Sequence, residues 1–373
     1  MNEQITKMDS SNDKKKAQDE VTRYLISVKA IVSGGPCDSS SNSSGSLNSS
    51  SISMNDHIHY PQPQPDQLAQ LAQEVYATDS LVLLISNLSN IEFDSRKMVV
   101  LLFNSLLRRK IGNRSPTIDY LLKRSQILTM LMKGTANPEI SIHTTGMLKE
   151  AIKYEQVAHF LLFDNVFWKC FDYCQSDSFE ISTDAFSILI DLLTLHKEVA
   201  GKFFQENKLK FIDHVNRLIT SNSYVTKREA IRLLAQLILC KSNYNLMTTY
   251  VSSPHNLKII MILLGDKSKN IQLESFNVFK VFIANPRKTK PITDILIKNR
   301  DRLLSFLADF NTDRKHDELF MVEKNFVIEQ IESLPKIVSM SPLPDNSQSP
   351  VSGAQNSYHA SSGVSGSNKY SPN

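Results

Sequence analysis

Apolar positions recur along most of this chain at the three-and-four spacing of an amphipathic helix. Three of the helices they predict repeat one another at a spacing of 45 residues. Asp184-Ala185-Phe186 runs on to Leu193, Glu229-Ala230-Ile231 to Leu239, and Glu274-Ser275-Phe276 to Ile283. Each copy reads acid, small residue, apolar residue, then a dense apolar face. Each ends in a polar break, at Thr194–His196, Cys240–Asn243 and Ala284–Pro286. A period in the 40s filled only with helical pattern predicts a stacked helical repeat, in which each unit buries its apolar face against its neighbours. Such folds offer a surface to a partner rather than a pocket for chemistry.

The same pattern divides the chain. Residues 1–13 are polar and expected to be disordered. A first helix is predicted from Lys14 to Val32, within a segment 14–36, with Val21, Leu25, Val28 and Val32 on one stripe. Residues 37–60 form a Ser/Asn-rich insertion that cannot bury surface. Helical pattern fills 61–335, resuming at Leu68 and running to about Leu334, and 336–373 is a Ser/Pro-rich tail expected to be disordered. Ser115-Pro116, Asn137-Pro138 and Ser253-Pro254 each read as a cap followed by a proline in the first turn, where its missing N–H is harmless. No sustained period-two alternation and no Asn-Gly hairpin occurs, so no strands are expected. The step from Gly146-Met147 to Ala185-Phe186 is 39, so repeat length drifts. With room for about three helices per period, the expected fold is all-α: an armadillo/HEAT-like right-handed superhelical solenoid, a horseshoe of helical repeats.

Composition narrows the function classes. Apolar residues make up 41% of the chain, enough for a continuous core, and a net charge of +4 is too balanced to demand nucleic acid. The four cysteines, Cys37, Cys170, Cys174 and Cys240, form no dense framework, which suggests a reducing compartment. Cys170 and Cys174 lack two further ligands for zinc and read as buried thiols. Neither a signal peptide nor a membrane span is visible, so a cytoplasmic protein with no membrane insertion is expected. No phosphate loop, dinucleotide pattern, nucleophile elbow, zinc-protease motif or calcium loop is present, and His143, His159, His196 and His214 stand alone. The reading is a non-enzyme with no cofactor and no metal.

One local departure stands out. Between Ser223 and Tyr244, the four cations Lys227, Arg228, Arg232 and Lys241 face one acid, Glu229, leaving +3 in a nearly neutral protein. Ala230, Leu233, Leu234 and Leu237 form the buried stripe of that helix. Arg228 and Arg232 both fall about 160° from Ala230, one turn apart. Ala235 is expected to leave a trough beside them, and Asn277 and Lys280 occupy the equivalent face of the next repeat. Such a stripe suits an acidic partner helix on the concave surface; the same residues would also serve as a solvated helix face. A second cluster, Lys258, Met261, Lys288, Lys290 and Lys298, places an adaptable Met among lysines and suits an aromatic-plus-acid peptide. Core packing of the Met is the plainer alternative. Trp168 reads as core. Ser341-Pro342, Ser349-Pro350 and Ser371-Pro372 are candidate proline-directed phosphorylation sites.

Longer motifs carry a family resemblance. Leu107-Arg108-Arg109-Lys110-Ile111-Gly112, Met130-Leu131-Met132-Lys133-Gly134, Asn137-Pro138-Glu139-Ile140, Ser182-Thr183-Asp184-Ala185-Phe186, Tyr224-Val225-Thr226-Lys227-Arg228 and the runs Leu264–Gln272 and Phe279–Pro286 resemble the calcium-binding protein 39 (mouse protein 25) family. The insertion at 37–60 resembles fungal members. The resemblance implies a non-catalytic scaffold that binds and activates a sterile-20-family kinase or pseudokinase, monomeric until it joins that complex. It implies a concave surface on the kinase domain, built here from Tyr224, Arg228, Arg232, Lys241 and Tyr244. It also implies a C-terminal pocket for a Trp-Glu-Phe peptide, built from Lys258, Met261 and Lys298. Lys241 stands where Arg is usual and Tyr244 where Phe is usual. In fungal relatives the implied role is polarised growth and cell separation, with the protein concentrated at those sites. Calcium binding has no support in the residues. An armadillo-type cargo adaptor or nucleic-acid-binding adaptor is the alternative function; the low net charge and the lack of repeated aromatics beside the Lys/Arg positions argue against nucleic acid.

Overall fold

The computed structural model describes residues 14–34, 64–314 and 316–335. The two ends, 1–13 and 336–373, the insertion 37–60, Cys37 and the three Ser-Pro sites lie outside them. The described residues are helices joined by short turns; among them the only β-type pairing is an isolated bridge between Ile111 and Arg114.

Seven of the helices form a continuous ladder: α1 (Lys14–Ser33), α2 (Phe93–Arg108), α3 (Ser141–Ile152), α4 (Phe179–Thr194), α5 (Tyr224–Ile238), α6 (Lys269–Ala284) and α7 (Glu318–Glu332). Each packs on the next in this order. The remaining helices fill the intervals and pack behind the ladder; Lys197–Ile219 touches both α4 and α5, and Pro254–Leu264 packs on α6. The expected solenoid of stacked helices is therefore what the structure shows.

The 45-residue echo is the ladder itself. Helices α4, α5 and α6 begin at 179, 224 and 269. Ala185, Ala230 and Ser275, the small residue of each copy, are fully buried, and the following Phe186, Ile231 and Phe276 enter the core. A larger side chain at the small position would overpack that core. The first helix joins as a rung although an insertion follows it. Val21 and Leu25 are buried, and its Thr22 hydroxyl meets that of Ser95 on α2 at 2.9 Å.

Local chemistry sets the helix ends. Ser178, Ser223 and Asp317 cap α4, α5 and α7 through their side chains, each accepting from a backbone N–H three residues on. Ser253 caps Pro254–Leu264 in the same way, as the Ser-Pro pattern predicts. Two other prolines behave differently. Pro116 opens its helix, but the Ser115 hydroxyl makes no cap bond. Pro138 does not start a helix: Asn137 accepts from the N–H of Glu139 in a tight turn, and α3 begins at Ser141. The Asn side chain satisfies the turn first, which delays the helix by one turn.

One buried polar group links three helices. Asn216 donates to Asn256 at 2.9 Å, Tyr250 donates to Asn216 at 3.2 Å, and Asn256 donates to the Tyr250 carbonyl at 2.9 Å. Cys170 and Cys174 are buried free thiols, and burial pushes the Cys170 thiol up to about 12. Its neighbour is Met132 Sδ at 3.3 Å, so packing explains the pair. Trp168 is half-buried rather than core. One face packs on Phe167 and Phe171, while Lys210 Nζ lies 4.1 Å from its ring centroid and His214 stacks on it at 5.0 Å. No helix among the described residues is long and apolar enough to cross a membrane.

Candidate partner-binding face

Helix α5 places Tyr224, Arg228 and Arg232 at successive i, i+4 positions, so they form one stripe along its exposed side. Tyr224 is 46% exposed, and the Arg228 and Arg232 side chains are 37% and 47% exposed. Burial on the opposite side by Ala230, Leu233, Leu234 and Leu237 is what turns the stripe outward. The cluster is less free than its sequence suggests. Arg228 Nη1 donates to Glu229 Oε1 at 2.8 Å, and Arg232 pairs with the other oxygen of the same carboxylate. Lys227 reaches Asp266 at 3.4 Å, in the turn before α6. The +3 excess is thus partly compensated inside the fold, and the two guanidiniums are held side by side rather than left to wander.

Two expectations fail here. Ala235 is buried and floors no open trough. Lys280, on the equivalent face of α6, is turned inward and pairs with Glu323 of α7 at 2.6 Å. Its charge joins two rungs instead of facing solvent. Lys149 of α3 does the same toward α4, meeting Ser187 at 2.6 Å and Asp191 at 3.5 Å.

Tyr224 sits at the first position of α5, where its hydroxyl is 3.4 Å from the amide of Asn270 on α6. That bond, a hydrogen bond from Ser268 and the charge of Arg228 hold its phenol below the ordinary value of 10.0. Lys241 and Tyr244 lie past the C-terminal end of α5, Lys241 in the turn Lys241–Asn243 and Tyr244 at the start of helix Tyr244–Val251. Both are exposed. Sequence reasoning missed a companion, Phe179, which is 66% exposed at the first position of α4, 45 residues before Tyr224. The repeat period itself is the signal that finds it. Phe93 and Ile142, at the starts of α2 and α3, are 56% and 70% exposed and extend this apolar edge.

The second cluster resolves into a cleft and its surroundings. Met261, Leu264, Gly265, Asn299, Arg302, Leu303 and Phe306 enclose about 180 Å³ between helices Pro254–Leu264 and Arg300–Asp309. Met261 is half-buried against the core and lines this space. Lys258, one turn before Met261, and Lys298, next to Asn299, are exposed and flank the cleft without lining it. Lys290 is exposed at the start of helix Lys290–Lys298. Lys288 is withdrawn: its Nζ donates to the carbonyls of Ile283 and Asn285 at 2.7 and 2.9 Å, and burial lowers its pKa. Arg302 is the cation at the cleft that sequence reasoning missed, because it reaches the cleft from Arg300–Asp309, a helix far in sequence from Pro254–Leu264.

No group of His, Cys, Asp and Glu side chains among the described residues could hold a metal ion. His143 is buried and His196 bonds the Ile152 carbonyl at 2.9 Å, both structural positions.

A family model described as Mo25-like matches residues 1–335. The chain belongs to the Mo25-like family. Within it, "Calcium-binding protein 39-like" of Homo sapiens is 41% identical over 332 residues, covering 89% of this chain and 91% of that protein. "Mo25-like protein" of Schizosaccharomyces pombe is 36% identical over 330 residues, covering 88% and 93%. "Conidiophore development protein hymA" of Emericella nidulans is 37% identical over 300 residues, covering 73% and 78%. These alignments span the Mo25-like ladder rather than one motif of it. Among solved structures, a designed armadillo repeat protein in complex with the peptide (KR)4 superposes with a TM-score of 0.39 at 12% identity, covering 75% of this chain and 98% of that chain. The stacked-helix fold of this Mo25-like chain stands on its own contacts, without help from so distant a likeness.

Proposed function

We propose that this Mo25-like protein is a non-catalytic cytoplasmic scaffold that binds and allosterically activates a sterile-20-family kinase or pseudokinase. The observation that carries the reading is the paired stripe Tyr224–Arg228–Arg232 on α5, presented with Lys241 and Tyr244 beyond the end of that helix. Side chains held in place by Glu229 and Asn270 lose little freedom on docking, which favours a preformed surface for an acidic helix of the partner. The Met261 cleft, with Arg302 at its mouth and Lys258 and Lys298 beside it, suits a Trp-Glu-Phe-type peptide: apolar walls for the aromatic rings and cations for the carboxylate. Binding two points of one partner raises its local concentration at the second point once the first is engaged. Activation follows if the α5 stripe meets the active conformer better than the inactive one; a coupling of about 1–3 kcal/mol raises the active share roughly 5–150-fold where that form is rare.

The relative named for conidiophore development and the resemblance to fungal members support a role in polarised growth and cell separation. A cargo or nucleic-acid adaptor finds less support, because Glu229 and Asp266 already hold most of the cationic face.

The test is a kinase assay with purified sterile-20-family partner, comparing the wild type with Arg228→Ala and Met261→Ala. Arg228→Ala is expected to abolish most activation while peptide binding persists, and Met261→Ala to weaken the peptide. If neither substitution changes binding or activation, the reading is wrong.

A further inference from the structure

A second, larger groove shares no lining residue with the Met261 cleft. It encloses about 640 Å³ between helix Tyr244–Val251 and the C-terminal end of α6. Met247, Val251, Val281 and Pro286 make its apolar surface, and Tyr244 and Arg287 stand among its lining residues. The Arg287 side is built, not loose. Asn285 Oδ1 accepts from the Arg287 backbone N–H at 2.9 Å, which fixes the Asn285-Pro286-Arg287 turn. Lys288 turns inward beneath it and satisfies the last carbonyls of α6. That leaves Arg287 exposed, and its guanidinium has no hydrogen-bond or ion-pair partner among the described residues. No Asp or Glu lines the groove.

We propose that this groove is a peptide-binding site for a partner segment in which an aliphatic or aromatic side chain lies next to a carboxylate. The apolar surface takes the side chain out of water, and Arg287 meets the carboxylate with its planar fork, uncompensated by any acid of the groove. Charge complementarity selects an acidic segment: a basic one would place its cation against Arg287 with no counter-charge nearby. The Tyr244 hydroxyl supplies a polar edge for the peptide backbone. The site is separate from the Met261 cleft, with which it shares no lining residue, and it touches the proposed kinase face only through Tyr244. It rests on the scaffold reading in that one residue.

The test is selection of short random displayed peptides on the full-length protein, followed by binding of the enriched, fluorescein-labelled peptides to variants. The expected result is enrichment of peptides with an apolar residue within two positions of Asp or Glu. Their affinity should fall about tenfold in Arg287→Ala, as for a lost charged hydrogen bond. It should fall further in Met247→Glu and stay unchanged in Met261→Ala and Arg228→Ala. Arg287 is exposed, so its variant keeps the fold, and circular dichroism melting checks the Met247 variant. Four results overturn the proposal: no enriched peptide, enriched peptides without a carboxylate, peptides lost only in Met261→Ala, or a homodimer that Arg287→Glu dissolves. Loss of kinase activation in Arg228→Ala with intact groove binding, or the reverse, shows which of the two readings has failed.

Discussion

Arg228 Nη1 lies 2.8 Å from Glu229 Oε1, so the arginine expected to meet a partner is already paired with its sequence neighbour. The same carboxylate also holds Arg232, and so one acid organises both guanidiniums of the stripe. A free arginine pair would repel itself and sample many rotamers; a shared carboxylate removes both problems at the price of some net charge.

Glu229→Gln should therefore release charge and loosen geometry together. Association with an acidic kinase partner is expected to become about two- to fivefold faster at low salt, with a steeper fall as salt is added. Dissociation should also become faster, because the guanidiniums are no longer held. Stopped-flow binding over a salt series reads both; an unchanged rate and slope would mean that the stripe does not face the partner.

The only tryptophan, Trp168, reports on His214 stacked against it at 5.0 Å. Burial, then the charges of Arg217 and Lys210, hold the His214 pKa below 6.5. The folded protein therefore takes up this proton less readily than the unfolded chain. The contribution to stability is complete above pH 6.5 and is lost as pH falls through the folded pKa. Tryptophan emission is expected to change with a midpoint below pH 6.5, and His214→Gln should abolish that transition while leaving the fold intact.

Gly134 is held to a hydrogen by its neighbour. A Cβ there would meet Thr144 Cγ2 at 2.6 Å, and Thr144 is buried with its hydroxyl bonded to the carbonyls of Ile140 and Ser141. Its methyl has nowhere to go. Gly134→Ala should destabilise the protein by about 1–3 kcal/mol despite the better helix propensity of alanine. Adding Thr144→Ser removes the opposing methyl and should restore most of the loss in urea denaturation.

Tyr250 is fully buried, and its hydroxyl donates to Asn216. Tyr250→Phe leaves that amide oxygen short of a donor and should lower stability by about 1–2 kcal/mol. Burial raises the phenol well above 10.0 in the folded state. The stability this group contributes is therefore full below pH 10 and falls as pH rises beyond it, where the unfolded chain ionises first. Denaturation curves on either side of pH 10 should show a shallower alkaline decline in the phenylalanine variant.

The ladder was legible because its physics is local. The acid–small–apolar triplets mark Ala185, Ala230 and Ser275, and all three are fully buried in successive rungs. The stripe Tyr224–Arg228–Arg232 was legible for the same reason: helical periodicity alone turns it away from Ala230. Whether a cation is free was not legible. Lys280 and Lys288 look like surface lysines in the sequence, yet Glu323 holds one and two backbone carbonyls hold the other. Arg302 and Arg287, which no local pattern distinguishes, line their grooves with no ion-pair partner among the described residues.

By itself, then, the sequence determined the class of fold, the family and the face of α5 that meets solvent, since each depends on residues within a few turns of one another. The tertiary structure alone decided which charges remain available and where grooves open. The ion pair Lys227–Asp266 joins α5 to the turn before α6, Lys280–Glu323 joins α6 to α7, and a groove exists only between two packed helices. Neither has a signature within a single helical period.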